Sequence, residues 1–355
     1  MLQSIISVVL VLGGLIFFHE LGHFLVARAL GMGVRTFSLG FGPKLWSATV
    51  NRIEYRLSAV PLGGYVNLVG ESPDSELPEG FTPGESFSLR APWQRILVVT
   101  AGPLANFFLA FLIYFGLFLT QGRMEVLPVV GELTDPGPAK SAGMLPGDAV
   151  TAVDGAPVQF WTELVAVVSA SEGKALRFSV QRGEETVELI VTPQVRTRKN
   201  LFGEEIKVPM IGVVSAGKTT TVDLGGGSAV VEAARQTWAV VSLTVQGIIK
   251  LIERVIPADT VGGPIMIARM VSEQAKVGFT AILSLAALLS VNLGLMNLLP
   301  VPVLDGGHIV FFSLEAITRR PPSDRVRAGA TRVGIAFILL LMGLATYNDL
   351  TGLFK

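Results

Sequence analysis

His19-Glu20-Leu21-Gly22-His23 sets two imidazoles four residues apart with a carboxylate beside the first, in a chain of 355 residues that has only three histidines. On a helix, residues four apart share a face, so His19 and His23 can grip one metal ion while Glu20 handles a proton. Catalytic zinc takes three protein ligands and keeps a position open. The best candidate for the third lies in Asn297-Leu298-Leu299-Pro300-Val301-Pro302-Val303-Leu304-Asp305-Gly306-Gly307-His308, where Asp305 follows 28 uncharged residues. Pro300 and Pro302 prevent a regular helix there, and Gly306 and Gly307 allow close backbone approach. Zinc brings the pKa of bound water from about 15.7 towards ~7, so Glu20 can accept its proton and pass it to a leaving amine. His308 either assists an oxyanion or supports a ligand; the spacing does not choose.

Hydropathy puts this chemistry in a membrane. Met1 to Phe18 carry no charge and run straight into the motif. Half the residues are hydrophobic, 16% are charged, and the mean hydropathy is +0.57; a soluble domain is less apolar. Net charge is zero, which gives nucleic acid no reason to bind, and the absence of cysteine excludes disulfides and thiolate metal sites. The N-terminus lacks the basic region of a cleavable signal, so its apolar run reads as a retained span. A span needs roughly 20 apolar residues. Four segments qualify: about Leu2 to Leu30, Ile96 to Thr120, Val277 to Leu304, and the shorter Val333 to Asn348. Ionisable groups at that depth are costly and usually functional, and broken helix is tolerated only inside protein or beside a wet cavity.

The elements between the spans follow from local pattern. Arginines crowd 318–332, and basic residues recur through 31–92, so both loops are expected on the cytoplasmic side, with the termini and 121–276 outside. Gly40-Phe41-Gly42-Pro43 and the partly alternating Ile53 to Val60 suggest an apolar hairpin near the first span, or else a small soluble sheet; Pro61, Gly63 and Gly64 are expected to break the second strand. Glu71 to Glu85 reads as an acidic surface loop. From Gly137 a helical turn ends at Gly143, a strand ends at Asp154-Gly155, Trp161 to Ala170 reads as a helix, and Leu176–Gln181 and Thr186–Val191 as strands. Residues 194–228 read as a linker, and 229–255 as an amphipathic helix on the outer leaflet or a fifth span. Gly262-Gly263-Pro264 reads as a turn before another amphipathic helix. Asn106 sits mid-span, suited to a helix–helix hydrogen bond or to a site contact.

These motifs together resemble the site-2 protease family of intramembrane zinc metalloproteases, and within it the bacterial RseP type. The likeness runs over nearly the whole chain. It implies an α-helical polytopic membrane protein of about four spans, with a membrane-associated β-hairpin and one inserted α+β PDZ domain. The protease core would fall into two halves, 1–120 (with a cytoplasmic-side β-loop over about 31–92) and 277–355. The PDZ domain would be 124–193, outside the cytoplasm of a bacterial inner membrane, followed by linker and surface helices over 194–276. The resemblance makes His19, His23 and Asp305 ligands of one Zn2+, Glu20 the base, and Asn292, Asn297 and Gly40-Phe41-Gly42 substrate-handling residues. It leaves His308 and Asn106 as supporting candidates, and Asn292 is equally suited to interhelical bonding. Substrates of such enzymes are single-span membrane proteins already cut once by another protease, among them anti-sigma factors, and remnant signal peptides; the PDZ domain would take a peptide or chain end against a sheet edge. The enterobacterial type has two PDZ domains in tandem and this chain has room for one. A competing reading is a non-enzymatic PDZ scaffold with a structural metal, but structural zinc has four closed protein ligands and three are identifiable here.

Overall fold

A computed structural model describes residues 2–71 and 77–352; residues 72–76, in the expected acidic loop, lie outside the described residues. In chain order the elements are α1 (Leu2–Ala29), β1 (Val34–Val50), β2 (Ile53–Leu68), α2 (Pro92–Gln121), β3 (Arg123–Val126), β4 (Val130–Leu133), α3 (Pro138–Ser141), β5 (Ala149–Val153), β6 (Ala156–Pro157), α4 (Trp161–Ala170), β7 (Leu176–Arg182) and β8 (Glu185–Val191). They continue with β9 (Gln194–Lys199), β10 (Glu205–Met210), β11 (Val213–Ser215), β12 (Thr219–Val222), α5 (Gly226–Ile252), α6 (Pro264–Val277), α7 (Phe279–Asn297), α8 (Asp305–Thr318) and α9 (Asp324–Gly352). Two compact units result: one from Met1–Gly116, Val231–Ile249 and Pro257–Lys355, the other from Leu117–Val230 and Lys250–Ile256.

In the first unit, four helices are long and apolar enough to cross a membrane among the described residues: Ser4–Ala29, Pro92–Gln121, Phe279–Asn297 and Asp324–Gly352. The third span ends at Asn297, not Leu304, because Pro300 and Pro302 cannot continue the hydrogen-bond ladder. The fourth is longer than its apolar stretch. Pro321 and Pro322 confine the loop to 319–323, and Arg325, Arg327 and Arg332 lie on the first turns of α9, where arginine is a good helix former. α5 is one continuous helix outside that set of four. Pro264 opens α6, and Gly278, at φ 145°, separates it from α7.

The β1–β2 hairpin packs on α1 through Met32, Val34, Phe37, Ile53 and Leu68 in a core shared with Val98 and Val99 of α2. Thr36 to Leu39 face Asn67 to Gly64 on one side and Glu54 to Leu57 on the other, so the hairpin folds over on itself. Pro61, Gly63 and Gly64 do not end β2, as expected from sequence; the chain stays extended to Leu68. The ladder skips from Val60 to Gly64 instead, so a residue without a donor does no harm there. A second core joins α1, α6 and α7 through Val11, Leu15, Val271, Leu285 and Ala286. Buried Asp349 of α9 accepts hydrogen bonds from the backbone N–H groups of Gly263, Ile265 and Met266, satisfying the exposed donors at the start of α6.

The second unit centres on the sheet β6-β5-β7-β8, with α4 over a core of Val150, Val153, Leu164, Phe178 and Val180. The helical turn, the helix and the strands stand where the sequence places them. Residues 194–228 are not a plain linker: β9 pairs with β10, β11 with β4, and β12 with β3. Short alternating runs such as Glu205–Met210 are too polar to stand out from a loop, and for β11 and β12 the partners lie 80 residues or more upstream.

One ion pair ties this unit together. Asp148, with its side chain 1% exposed, accepts from Arg182 and from the Leu145 backbone. The Arg182 guanidinium holds the Asp148 carboxyl below its ordinary value of 3.8. A depressed carboxylate pKa stabilises the fold above its unfolded value near 3.9, and that contribution is lost as pH falls through the folded value. Asp148→Asn is therefore expected to speed hydrogen exchange of the β5 and β7 amides at pH 7. As pH falls below about 4, the difference from the unmodified chain should close; a constant difference would count against the assignment.

Candidate metal centre

The site grows from α1. His19 and His23 project from one face, their Nε2 atoms 3.2 Å apart. α8 begins at Asp305, and Oδ2 of that residue lies 3.2 Å from Nε2 of His19 and 3.5 Å from Nε2 of His23. One donor atom from each of the three residues falls within 4.8 Å of the others. Asp305 arrives there because the irregular stretch 298–304 folds back tightly. A Cβ on Gly306 would sit 2.2 Å from the Leu299 carbonyl oxygen, and one on Gly307 2.3 Å from that of Val301.

The protonation pattern suits a cation. A carbonyl only accepts, so the 2.8 Å contact to the Val98 oxygen puts a proton on Nδ1 of His23, and in its neutral form, the one that binds metal, the ring turns a bare Nε2 inward. Asn106, fully buried, lies 3.2 Å from Nδ1 of His19 through its amide nitrogen, and its Oδ1 has no partner. With that amide turned end for end, Oδ1 accepts from Nδ1–H and His19 likewise offers a bare Nε2. Oδ2 of Asp305 is buried against those two Nε2 atoms, and with both rings in this form it has no donor. Three acceptors facing one another without a proton repel; a divalent cation among them removes the conflict, and two imidazoles with a carboxylate suit zinc.

Around this cluster is a cavity of about 880 Å³, lined by residues of α1, the hairpin, α2, α7, α8 and α9. Glu20 faces it and accepts a 3.1 Å hydrogen bond from the Val66 N–H of β2. Asn297 lines it too, its amide nitrogen 3.4 Å from Nε2 of His19. His308 lines it and stacks on Phe312 at 6.0 Å. Of Gly40-Phe41-Gly42 only Phe41 reaches the cavity. Gly40 and Gly42 have φ of +94° and +83°, which other residues rarely adopt. Asn292 is not in the lining: its Oδ1 accepts from Thr244 of α5 at 2.8 Å, which is the interhelical role.

Sequence reasoning offered Asn106 of α2 as a site contact but missed how closely that helix approaches the imidazoles. A Cβ on Gly102 would lie 2.3 Å from Nε2 of His23 and 2.9 Å from Cε1 of His19, so α2 passes directly against both imidazoles. Gly22, an unassigned position in the motif, is the counterpart: its Cβ would lie 2.3 Å from the Ala101 carbonyl oxygen. The sign of that close approach in the sequence is Gly102-Pro103 in the middle of an apolar span, four residues before Asn106.

Comparison with known proteins bears on the chemistry. The family model "Peptidase family M50" matches residues 7–341. A protein of Mesorhizobium japonicum is 38% identical over 99% of both chains. "Zinc metalloprotease RasP" of Geobacillus kaustophilus is 32% identical, again over 99% of each. "Regulator of sigma-W protease RasP" of Bacillus subtilis is 30% identical over 99% of each. A solved PDZ domain of an SdrC-like protein from Listeria monocytogenes aligns with 26% of this chain and 88% of its own, at 17% identity and a TM-score of 0.21, too low to bear on the fold. A match across nearly the whole length, with zinc metalloproteases among its full-length relatives, makes this chain a membrane metalloprotease of peptidase family M50, the site-2 protease family.

Proposed function

We propose that His19, His23 and Asp305 hold one zinc ion, that Glu20 is the general base, and that the enzyme cuts single-span membrane proteins within their membrane segments. The observation that carries this is the convergence of three candidate ligand atoms, two imidazole nitrogens and a buried carboxylate oxygen, beside the Glu20 carboxylate in one cavity. When bound, zinc supplies Lewis acidity, polarising a peptide carbonyl and acidifying water. Glu20 takes the proton of the attacking water and returns it to the leaving amine. Its bond to the Val66 N–H holds the carboxylate at the cavity wall. Asn297 offers an amide donor to the substrate backbone, and Phe41 an apolar wall. Gly40 and Gly42 act through the hairpin's path rather than by contact.

Substrates of the anti-sigma-factor kind, a prior cut by another protease, and remnant signal peptides fit this reading; the Bacillus subtilis relative is itself named a regulator of sigma-W protease. We place 124–193 as a PDZ domain for a peptide or chain end, outside the cytoplasm of a bacterial inner membrane, with 31–92 and the arginine-rich 318–332 on the cytoplasmic side. A substrate helix shields its own carbonyls and must open before attack. Helix-breaking residues near the scissile bond are therefore expected to raise cleavage of a single-span reporter by about tenfold, the equivalent of ~1.4 kcal/mol, read by appearance of the product on a gel. Equal cleavage of a reporter carrying leucine there, or digestion of a soluble unfolded protein at the same rate, would overturn the membrane-substrate reading.

A further inference from the structure

α2 supplies no candidate ligand, yet four of its positions face the centre. Val98 holds His23, Gly102 lies against both rings, and Asn106 touches His19. The fourth, Arg95, reaches α8, pairing with Glu315 across 220 residues of sequence. Positions 95, 98, 102 and 106 are spaced three, four and four apart, which keeps them on one stripe of the helix. On α8, Asp305, His308, Phe312 and Glu315 form a similar stripe, and all four line the cavity.

We propose that Arg95 and Glu315 are a positioning pair: their ion pair fixes the register of α8 against α2 and so sets Asp305 opposite the two imidazoles. This rests on the reading that these three side chains hold zinc. The pair is secluded, with side chains 8% and 18% exposed, and the guanidinium also lies 4.6 Å over the Phe312 ring. Continuity with α7 ties α8 only to the tightly folded stretch 298–304, not to α2. Apolar contacts of Ile309 and Phe312 hold α8 against the core but leave sliding and rotation open, as apolar packing is non-directional. The guanidinium is held at two places, by its Nη2 hydrogen bond to Oε1 of Glu315 and by the Phe312 ring beneath it, and these contacts are directional. Buried ion pairs add little net stability and are better suited to specifying register. Glu315 is ten residues beyond Asp305, about 15 Å along a straight helix, and a slip of one turn would move the carboxylate by about 5.4 Å. A zinc–oxygen bond of about 2 Å does not survive that.

The test uses the full chain in lipid nanodiscs. Zinc affinity is measured by competition with a chelator, and the visible spectrum is recorded after cobalt substitution. The variants are Arg95→Met, Glu315→Gln and the exchange Arg95→Glu with Glu315→Arg. Each single change is expected to weaken zinc at least tenfold and to shift the cobalt bands, and the exchange to restore affinity to within about threefold of the unmodified chain, as for other residues that orient metal ligands. Unchanged affinity and spectrum in the single variants would overturn the pairing role, as would an exchange no better than they are. The exchange also separates lost register from lost folding, since it keeps both charges. Should the unmodified chain bind no zinc, the metal reading falls and takes this proposal with it; zinc bound equally by all the chains sinks this proposal alone.

Discussion

Glu20→Gln leaves zinc bound and lowers peptide cleavage by about a thousandfold, within the 10²–10⁴ that general acid–base catalysis contributes. The change is close to isosteric. The carbonyl oxygen of the introduced amide can still accept the Val66 N–H bond that now reaches Oε2 of Glu20 at 3.1 Å, so the hairpin keeps its contact with α1. His19, His23 and Asp305 keep their donor atoms, and Glu20 is not one of the cluster. What disappears is the ability to take a proton at neutral pH, because an amide is not a base there. Metal analysis and a cleavage assay on the same preparation decide it. Retained turnover would remove Glu20 from the chemistry, and loss of zinc together with turnover would make it a ligand. In cells, membrane stubs that accumulate with the Glu20→Gln form, and not with the unmodified enzyme, would identify substrates directly.

Much of this centre is legible in the sequence because its parts are rare and badly placed for any other purpose. His19, His23 and Asp305 are polar groups at the margins of apolar stretches, where the cost of burial leaves function as the economical explanation. The helix break at Pro300 and Pro302 is equally visible, since proline acts on its own backbone. Contacts decided by three-dimensional approach are not visible in this way. Nothing in the one-dimensional pattern brings Arg95 to Glu315, or picks Thr244 as the partner of Asn292, whereas Asn297, beside the helix break, stands out as the one nearer the site. β11 and β12 are hidden for a related reason: they complete pairings begun by β4 and β3, and the information sits in those distant partners.

Gly102→Ala shows the same limit at the scale of one methyl group, and it is expected to cost the enzyme its zinc. A Cβ at this position would meet Nε2 of His23 at 2.3 Å and Cε1 at 2.5 Å, far inside contact distance. A long flexible side chain could swing away, but His23 is tied at Nδ1 to the Val98 carbonyl of the same helix. The ring can yield only by breaking that bond or by pushing α2 off α1. The second course opens the close seam between Gly22 and the Ala101 carbonyl and so gives up the packing of the two helices there. Either response spreads the ligand atoms, and zinc affinity is expected to fall at least 100-fold, the upper end for changes in residues that orient metal ligands, with cleavage falling alongside. Gly116→Ala is the control. It lies on the same helix with nothing within 4 Å of the added carbon, so it should keep its zinc and match or exceed the unmodified chain in thermal stability, since alanine restricts the unfolded chain. If Gly102→Ala binds zinc as tightly as Gly116→Ala does, α2 does not press on the imidazoles and the close packing assigned to the centre is wrong.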